Sequence, residues 1–261
     1  MESKGIIDIE FWRLLAAYVF VIILIIIVKI RKISRERQIV IATLRMTLQL
    51  VMAGYILIFI FDHPHPLLTL LIIAIMETFA IYNVYKQMNG HIPSIFKKTI
   101  AVSMAGGTLI SLFYFNIIVV HFVPWYSPRY FIPIAGMIVG NSMTGITLGA
   151  KNLLQSIRDQ KEKIEGALML GATPKTAIKP FVDNAFDSAI LPTINNMVGM
   201  GIVFLPGMMT GQILSGVSPL VAIEYQIAIL LGILGSVSLT VIIFIWLITR
   251  FLFNKYAQLG V

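Results

Sequence analysis

The sequence predicts an all-α integral membrane protein. Of its 261 residues 58% are hydrophobic, and the mean hydropathy is +0.89. A soluble domain of this size would have to leave much of that apolar mass exposed to water. Six long apolar stretches and a weaker seventh follow one another, with the polar residues mostly between them. A stretch of about 20 apolar residues crosses the hydrocarbon core as a helix, since a helix satisfies its own backbone hydrogen bonds there.

These stretches predict about seven transmembrane helices. The first contains Arg13 near its outer end but carries no charge from Leu14 to Val28. The fifth is rich in glycine and less hydrophobic than its neighbours, which favours a position inside the bundle. The predicted spans are residues 11–28, 39–61, 67–85, 99–123, 130–150, 189–214 and 221–253.

The basic residues predict the orientation. Of the 20 Lys and Arg residues, 16 fall in the connections 29–38, 86–98 and 151–188 and in the C-terminal tail. Cytoplasmic loops carry such an excess, so we expect the N-terminus outside and the C-terminus inside, in the plasma (inner) membrane. Because the basic cluster follows the first span, we expect that span to be retained and not cleaved as a signal peptide. The remaining four basic residues are Lys4, Arg13 and Arg129, on the outer side, and Arg45, within a span.

Composition also excludes several functions. There is no cysteine, so the chain has no disulfide, thiolate nucleophile or cysteine metal site. It also lacks the glycine-rich loop with Lys and Ser/Thr that an ATPase needs. We therefore expect no enzyme activity and no cofactor bound by this chain. The net charge of +8 reflects the basic inner side, so nucleic acid is not an expected partner.

One polar connection, 151–188, is much longer than the others. Ser156–Leu170 reads as an amphipathic helix with an apolar stripe, and Gly171 is predicted to end it. Thr173 and Pro174 predict an N-cap and a first helical residue. Pro180 is expected to stop or kink this second helix within two turns. The result is a cytoplasmic helix–Gly–helix insert.

Such an insert is the element by which permeases of ABC transporters dock their ATPase. The segment 165–171, EGALMLG, resembles the EAA motif of importer permeases, although a surface helix with a glycine cap explains it equally well. The resemblance becomes specific over four blocks, which are similar in order and spacing to the FetB/YbbM family of bacterial ABC permeases associated with iron export, with plant relatives implicated in aluminium tolerance. Those blocks are 132–143 (IPIAGMIVGNSM), 170–175 (LGATPK), 205–211 (LPGMMTG) and 222–227 (AIEYQI).

The resemblance implies a single permease domain over residues 1–261, with its coupling insert within 151–188. It implies a homodimer beside a separate ABC ATPase subunit, which would hold the ATP and Mg²⁺. On this reading, five residues couple the permease to the ATPase: Glu165, Gly171, Ala172, Thr173 and Pro174. Glu77 and Pro180 depart from the family pattern.

Small residues four apart predict close helix packing in the two spans that flank the insert. Packing within one chain and packing between subunits both fit this pattern. The three pairs are Gly136 with Gly140, Gly145 with Gly149, and Gly207 with Gly211.

Polar and sulfur-bearing side chains in the same spans are candidates for a translocation path. Polar side chains in hydrocarbon usually face the bundle interior, where interhelical hydrogen bonding explains them equally well. Thioethers are soft metal ligands but are also common gap fillers. Pro206, followed by Gly207, predicts a kink or local unwinding in span six. The candidates are Asn141, Met143, Asn195, Asn196, Met208, Met209 and Gln212.

Two further sites hold ionisable residues. Glu77 is the one carboxylate deep within an apolar run, which predicts either a cation site or a structural ion pair with Arg45. His63 and His65 lie in an outer Asp-His-Pro-His-Pro segment, for which a proline-stiffened turn and a weak metal contact are the alternatives. No residue set assigns a metal site, so the metal ligands are unknown at this stage.

The sequence therefore predicts a permease subunit that exports iron or another metal cation, driven by a separate ATPase. Two alternatives remain. One is an ABC permease for a non-metal solute. The other is a membrane signalling or scaffold subunit that moves without transporting.

Overall fold

The computed structural model describes residues 8–88 and 92–253, and every regular element in these ranges is helical. Lys4 and Lys255, which entered the prediction of orientation, lie outside the described residues. The elements are α1 Phe11–Ala17, α2 Val19–Ile30, α3 Glu36–Asp62, α4 Pro66–Gln87, α5 Ser94–Tyr114 with a π-helical continuation Phe115–Val120, α6 Pro128–Asp159, α7 Lys161–Met169, α8 Pro174–Gly199, α9 Gly207–Leu214 and α10 Pro219–Phe251.

Six helical units in the described part of the chain are long and apolar enough to cross a membrane. They coincide with the predicted spans one to five and seven, so the chain is a multi-pass membrane protein. The predicted span 189–214 is not a single apolar helix, because α8 ends at Gly199 and α9 begins at Gly207. Helix α8 itself carries the charged residues Lys179, Asp183 and Asp187. A seventh crossing therefore stays a prediction.

The core of the bundle lies among α4, α5, α6, α8 and α10. Glycines permit close approach of these helices, as two glycines of α6 show. A Cβ atom on Gly145 would lie 2.7 Å from a methyl group of Val237 on α10, and one on Gly149 would lie 3.0 Å from the carbonyl oxygen of Ala185 on α8. Small residues allow helices to pack this closely in lipid.

Helices α1 to α3 form a peripheral unit at the side of this bundle. Val28 and Ile60 are their buried side chains. The hydroxyl groups of Tyr18 and Thr47 lie 2.5 Å apart and join the first span to α3. Most apolar side chains of these helices are exposed on the single chain, as expected of helices that face lipid.

The helices around the insert differ from the prediction. The predicted helix Ser156–Leu170 is divided, since α6 continues to Asp159 and α7 begins at Lys161. Pro180 does not stop α8, which continues through Pro180 and Pro192 to Gly199, and a kink at Pro180 stays a prediction. A proline removes one backbone hydrogen bond from a helix. The packing of α8 along α6 and α10 compensates for that loss.

The chain unwinds between α8 and α9, over residues 200–206. Gly201 has a φ of +81°, a left-handed conformation that glycine adopts without steric strain. Pro206 is the residue that precedes the first turn of α9. The predicted unwinding near Pro206 is therefore confirmed.

Candidate functional site

The turn between α7 and α8 is closed by backbone hydrogen bonds. The amide of Gly171 donates to the carbonyl of Leu168, and that of Ala172 donates to the carbonyl of Ala167, both over 3.0 Å. These two bonds form a Schellman motif, which requires a left-handed residue at its end. Gly171 supplies that residue, with a φ of +91°. The predicted glycine break is thus confirmed, one residue beyond Leu170.

The next helix begins as predicted. Thr173 is the N-cap of α8, its hydroxyl accepts a 3.3 Å hydrogen bond from the amide of Thr176, and Pro174 is the first helical residue. Glu165 lies in α7, 3.9 Å from the Nζ atom of Lys161 in a half-exposed pair. An exposed pair of this kind adds little to stability. All five predicted coupling residues therefore belong to one turn and its two flanking helices.

Two large apolar side chains project from this turn. Met169 is 86% exposed and Leu170 is 90% exposed. Leu170 belongs to the apolar stripe of the predicted helix Ser156–Leu170, but the buried members of that stripe are Ile157 and Ile164. The turn into Gly171 rotates Leu170 away from that face. Met169 and Leu170 form the apolar tip of the insert.

Inside the bundle, Glu77 of α4 is buried against α5. Its Oε2 atom accepts a 3.0 Å hydrogen bond from the Thr108 hydroxyl, and its Oε1 atom has no hydrogen-bond partner in the described residues. Arg45 is not an ion-pair partner of Glu77 there, since its guanidinium lies over the Phe79 ring, 5.2 Å from the centroid. The sequence allowed either a cation site at Glu77 or an ion pair between Glu77 and Arg45, and this structure does not contain that ion pair.

The other predicted path residues do not meet at one point. Asn141 donates to the carbonyl of Met137 within α6, over 2.8 Å. Asn195 and Asn196 are exposed on α8. Met143 lines a cavity beside α3 and α4. The remaining three lie on α9. Met209 is buried, and Met208 is partly buried against the core. The Oε1 atom of Gln212 is buried and has no hydrogen-bond partner among the described residues.

Several further polar side chains are buried in the bundle, and Ser236, Asn116, Gln226 and Thr240 escaped the sequence prediction. Ser142 and Ser236 join α6 to α10 through hydroxyl groups 2.9 Å apart. Among the described residues, neither polar side-chain atom of Asn116, in the π-helical continuation of α5, has a hydrogen-bond partner. The same is true of the Oε1 atom of Gln226 and the Oγ1 atom of Thr240 on α10. These are polar residues within apolar runs, the same signal that identified Glu77. Unpaired polar atoms in a dry interior are costly, which makes them candidates for contact with water or a transported solute.

The glycine pairs divide into two groups. Gly136 packs at ordinary distance against Met76, while added Cβ atoms at Gly140, Gly207 and Gly211 would meet nothing within 4 Å in the single chain. Close packing within the chain instead uses Gly145 and Gly149. A packing role for Gly140, Gly207 and Gly211 against a second molecule stays a prediction.

The segment that contains His63 and His65 forms a structural turn. The Nδ1 atom of His65 accepts a 3.2 Å hydrogen bond from the amide of Leu67 and caps α4. The Nδ1 atom of His63 lies 3.1 Å from the carbonyl of Phe59. In the described residues, no group of three His, Asp or Glu side chains is placed to hold a metal ion.

Comparison with known proteins adds the family. Residues 11–253 match the uncharacterised protein family UPF0014. The chain is 34% identical to the UPF0014 membrane protein YjkA of Bacillus subtilis, over 96% of this chain and 98% of the relative. It is 32% identical to the "Probable iron export permease protein FetB" of Escherichia coli, over 95% and 94% of the two chains. It is 34% identical to the protein ALUMINUM SENSITIVE 3 of Arabidopsis thaliana, over 94% and 88%.

No solved structure is similar to this chain at a significant level. The matches extend over the helices, the insert and the unwound segment described above. They confirm the family that the four sequence blocks predicted. The chain belongs to the UPF0014 family of membrane proteins.

Proposed function

We propose that this chain is the permease subunit of an ABC transporter that exports a metal cation, with iron as the leading candidate. In this proposal two copies form a homodimer in the plasma membrane beside separate ATPase subunits. The N-terminus lies outside and the C-terminus lies in the cytoplasm. The observation that carries the proposal is the apolar tip, Met169 and Leu170, on a turn closed by Gly171.

Two exposed apolar side chains at the apex of a polar insert are suited to a hydrophobic pocket on a partner. Large apolar anchors that fill such a pocket supply much of the binding energy of a protein interface. The closed turn holds both residues in one conformation, which lowers the entropy lost on binding. An ATPase docked at this tip would act on a rigid element.

The helices beside the tip can carry its motion into the bundle. Helix α8 is continuous over 26 residues, about 39 Å at 1.5 Å per residue. It runs from the turn at Thr173 to the unwound segment that begins at Met200. Its close packing on Gly145 and Gly149 of α6 makes the two helices move together. Displacement of the tip would therefore reach the unwound segment.

The unwound segment supports a path that two copies share. Irregular backbone at membrane depth is tolerated where it is covered by protein or lines a water-filled cavity. On the single chain, residues 201–205 are exposed, as are the nearby amides of Asn195 and Asn196. Amide oxygens can replace part of the hydration shell of a cation. A second copy facing this surface would complete the path.

The proposal of iron as the substrate is supported by a relative named as a probable iron export permease, whose match covers 95% of this chain. Glu77 is the charged residue of the bundle interior that suits a cation. The unpaired oxygen atoms on α9 and α10 are neutral and hard, and they could act as additional ligands.

The apolar tip provides the decisive experiment. The permease would be reconstituted in liposomes with the ATPase subunit with which it copurifies, and iron-stimulated ATP hydrolysis would be measured. Leu170→Ser should abolish the stimulation while membrane abundance is unchanged. The matched control is Val123→Ser, because Val123 is an apolar residue, 87% exposed, on a different connection. Equal stimulation by the Leu170→Ser and Val123→Ser proteins would refute the docking assignment.

A further inference from the structure

A cavity of about 1060 Å³ lies between the peripheral helix α3 and the helices α4 and α6. It exists because α3 packs loosely against the rest of the bundle. Four of its lining side chains are cationic, Arg35, Arg37 and Arg45 from the α3 side and Lys86 from α4. Amide side chains, including Gln49 and Asn83, line the same space. We call this space the α3–α4 cavity.

The positive charge of the α3–α4 cavity is not balanced by the protein. None of its described lining residues is acidic. The ion pairs found among the described residues join Arg13 with Glu10, Lys161 with Glu165, and Lys179 with Asp183, and none of these lines the cavity. Like charges around one space repel each other, and a bound anion would relieve that repulsion.

The charges extend from the membrane surface into the membrane. Arg45 lies nine residues after the start of α3, a distance of about 14 Å along the helix axis. Its stacking on Phe79 holds the guanidinium at the cavity wall. Arg35 and Lys86 lie near the helix ends that are predicted to be cytoplasmic. An ionisable residue at the depth of Arg45 marks a functional site by default.

The chemistry of the donors selects a phosphate group. Guanidinium groups bind phosphate oxygens in a bidentate manner, and Lys binds them as a point charge. The amides add neutral donors to the oxygen atoms that remain. We propose that the α3–α4 cavity binds a phosphate group, either the headgroup of an anionic phospholipid or a phosphate dissolved in the cytoplasm. A bare metal cation is repelled from this cavity, so the site is separate from any cation path at Glu77.

The test uses the full chain in nanodiscs of phosphatidylcholine, with and without phosphatidylglycerol. Native mass spectrometry counts the phosphatidylglycerol retained after release from the nanodisc, and radiolabelled inorganic phosphate is titrated in the phosphatidylcholine discs. The first double variant is Arg45→Gln/Lys86→Gln. The second is Arg37→Gln/Lys86→Gln, which alters only exposed side chains. The control is Arg31→Gln, which removes an exposed charge outside the cavity at the same end of the bundle.

We expect both double variants to lose at least about tenfold in affinity for one of the two probes, because each removes two charge-assisted contacts. Loss of retained phosphatidylglycerol assigns the headgroup, and loss of phosphate binding assigns the dissolved anion. The Arg31→Gln protein should bind as the wild type does. Equal losses in Arg31→Gln and the double variants, or wild-type binding of both probes by the double variants, would overturn the proposal.

Discussion

The Thr108 hydroxyl on α5 lies 3.0 Å from Oε2 of Glu77 on α4, and 2.6 Å from the carbonyl oxygen of Met104. A hydroxyl carries one hydrogen, so these two oxygen atoms compete for it. Because Oε1 of Glu77 has no partner in the described residues, the buried carboxyl accepts fewer hydrogen bonds than it can. The carboxyl is therefore left with one oxygen atom that a further donor or a cation would satisfy.

Glu77→Gln tests whether this carboxyl serves transport. Glutamine keeps the shape, can donate to Thr108 and carries no charge, so the protein should be at least as abundant and as thermally stable as the wild type. Iron export from cells challenged with excess iron should fall sharply. The control is Thr108→Val, which leaves the buried carboxyl without its partner at a cost of about 1–3 kcal/mol of stability but keeps its charge, so most of the export should persist in the protein that folds. Wild-type export by Glu77→Gln would remove Glu77 from the path.

Gly145→Ala should destabilise the folded protein. The added methyl group would lie 2.7 Å from Val237, so α6 and α10 must separate. Overpacking of this kind costs about 1–3 kcal/mol, and the melting temperature in detergent would measure it. Gly235→Ala is the control, because its methyl group enters open space on the facing helix α10. A melting temperature lowered equally by both substitutions would show that helix geometry, rather than contact, is responsible.

Gly171→Ala should impair coupling without impairing insertion. The space around Gly171 is open, so the penalty comes from its φ of +91°, and a left-handed alanine costs about 1–2 kcal/mol. The expected result is weaker stimulation of the ATPase at normal membrane abundance, with Gly171→Leu abolishing it. Gly166→Ala, in open space within α7, should stimulate as the wild type does. Unchanged coupling in Gly171→Leu would contradict a role for this turn.

Substitutions that remove either amide oxygen atoms or methionine sulfur atoms show which of the two binds the transported cation. Asn195→Ala and Asn196→Ala alter exposed side chains, so the fold should survive while export falls. Met208→Leu and Met209→Leu keep the volume and delete the sulfur, so export should persist if oxygen atoms carry the cation. Export is measured at matched expression. A fall in the methionine variants alone would assign a softer, thioether path.

Topology can be read from single cysteines, since the natural chain contains none. Val123→Cys should react with a membrane-impermeant maleimide in intact cells. Ser34→Cys and Glu162→Cys should react only after permeabilisation. Labelling of Val123→Cys and Glu162→Cys from the same side would exclude the predicted arrangement of α6 and its insert.

Local sequence signals predicted the elements that depend on neighbours along the chain. Apolar runs of sufficient length placed six spans, because crossing a membrane depends on the length and polarity of one segment. The turn at Gly171 and the cap at Thr173 were also predicted correctly. In each case a residue type is required by backbone geometry within a few positions. Pro180 did not stop α8, since packing of α8 against other helices outweighed the loss of one backbone hydrogen bond.

The sequence by itself determined the class of protein, the spans and the turn of the insert. Tertiary structure alone decided that the partner of Glu77 is Thr108 rather than Arg45. Thr108 lies 31 residues after Glu77 along the chain. Tertiary structure also decided that Leu170 is exposed and that basic residues of α3 and α4 surround one cavity. These features depend on the angles and distances between helices, and those are set by side chains from several helices packing together.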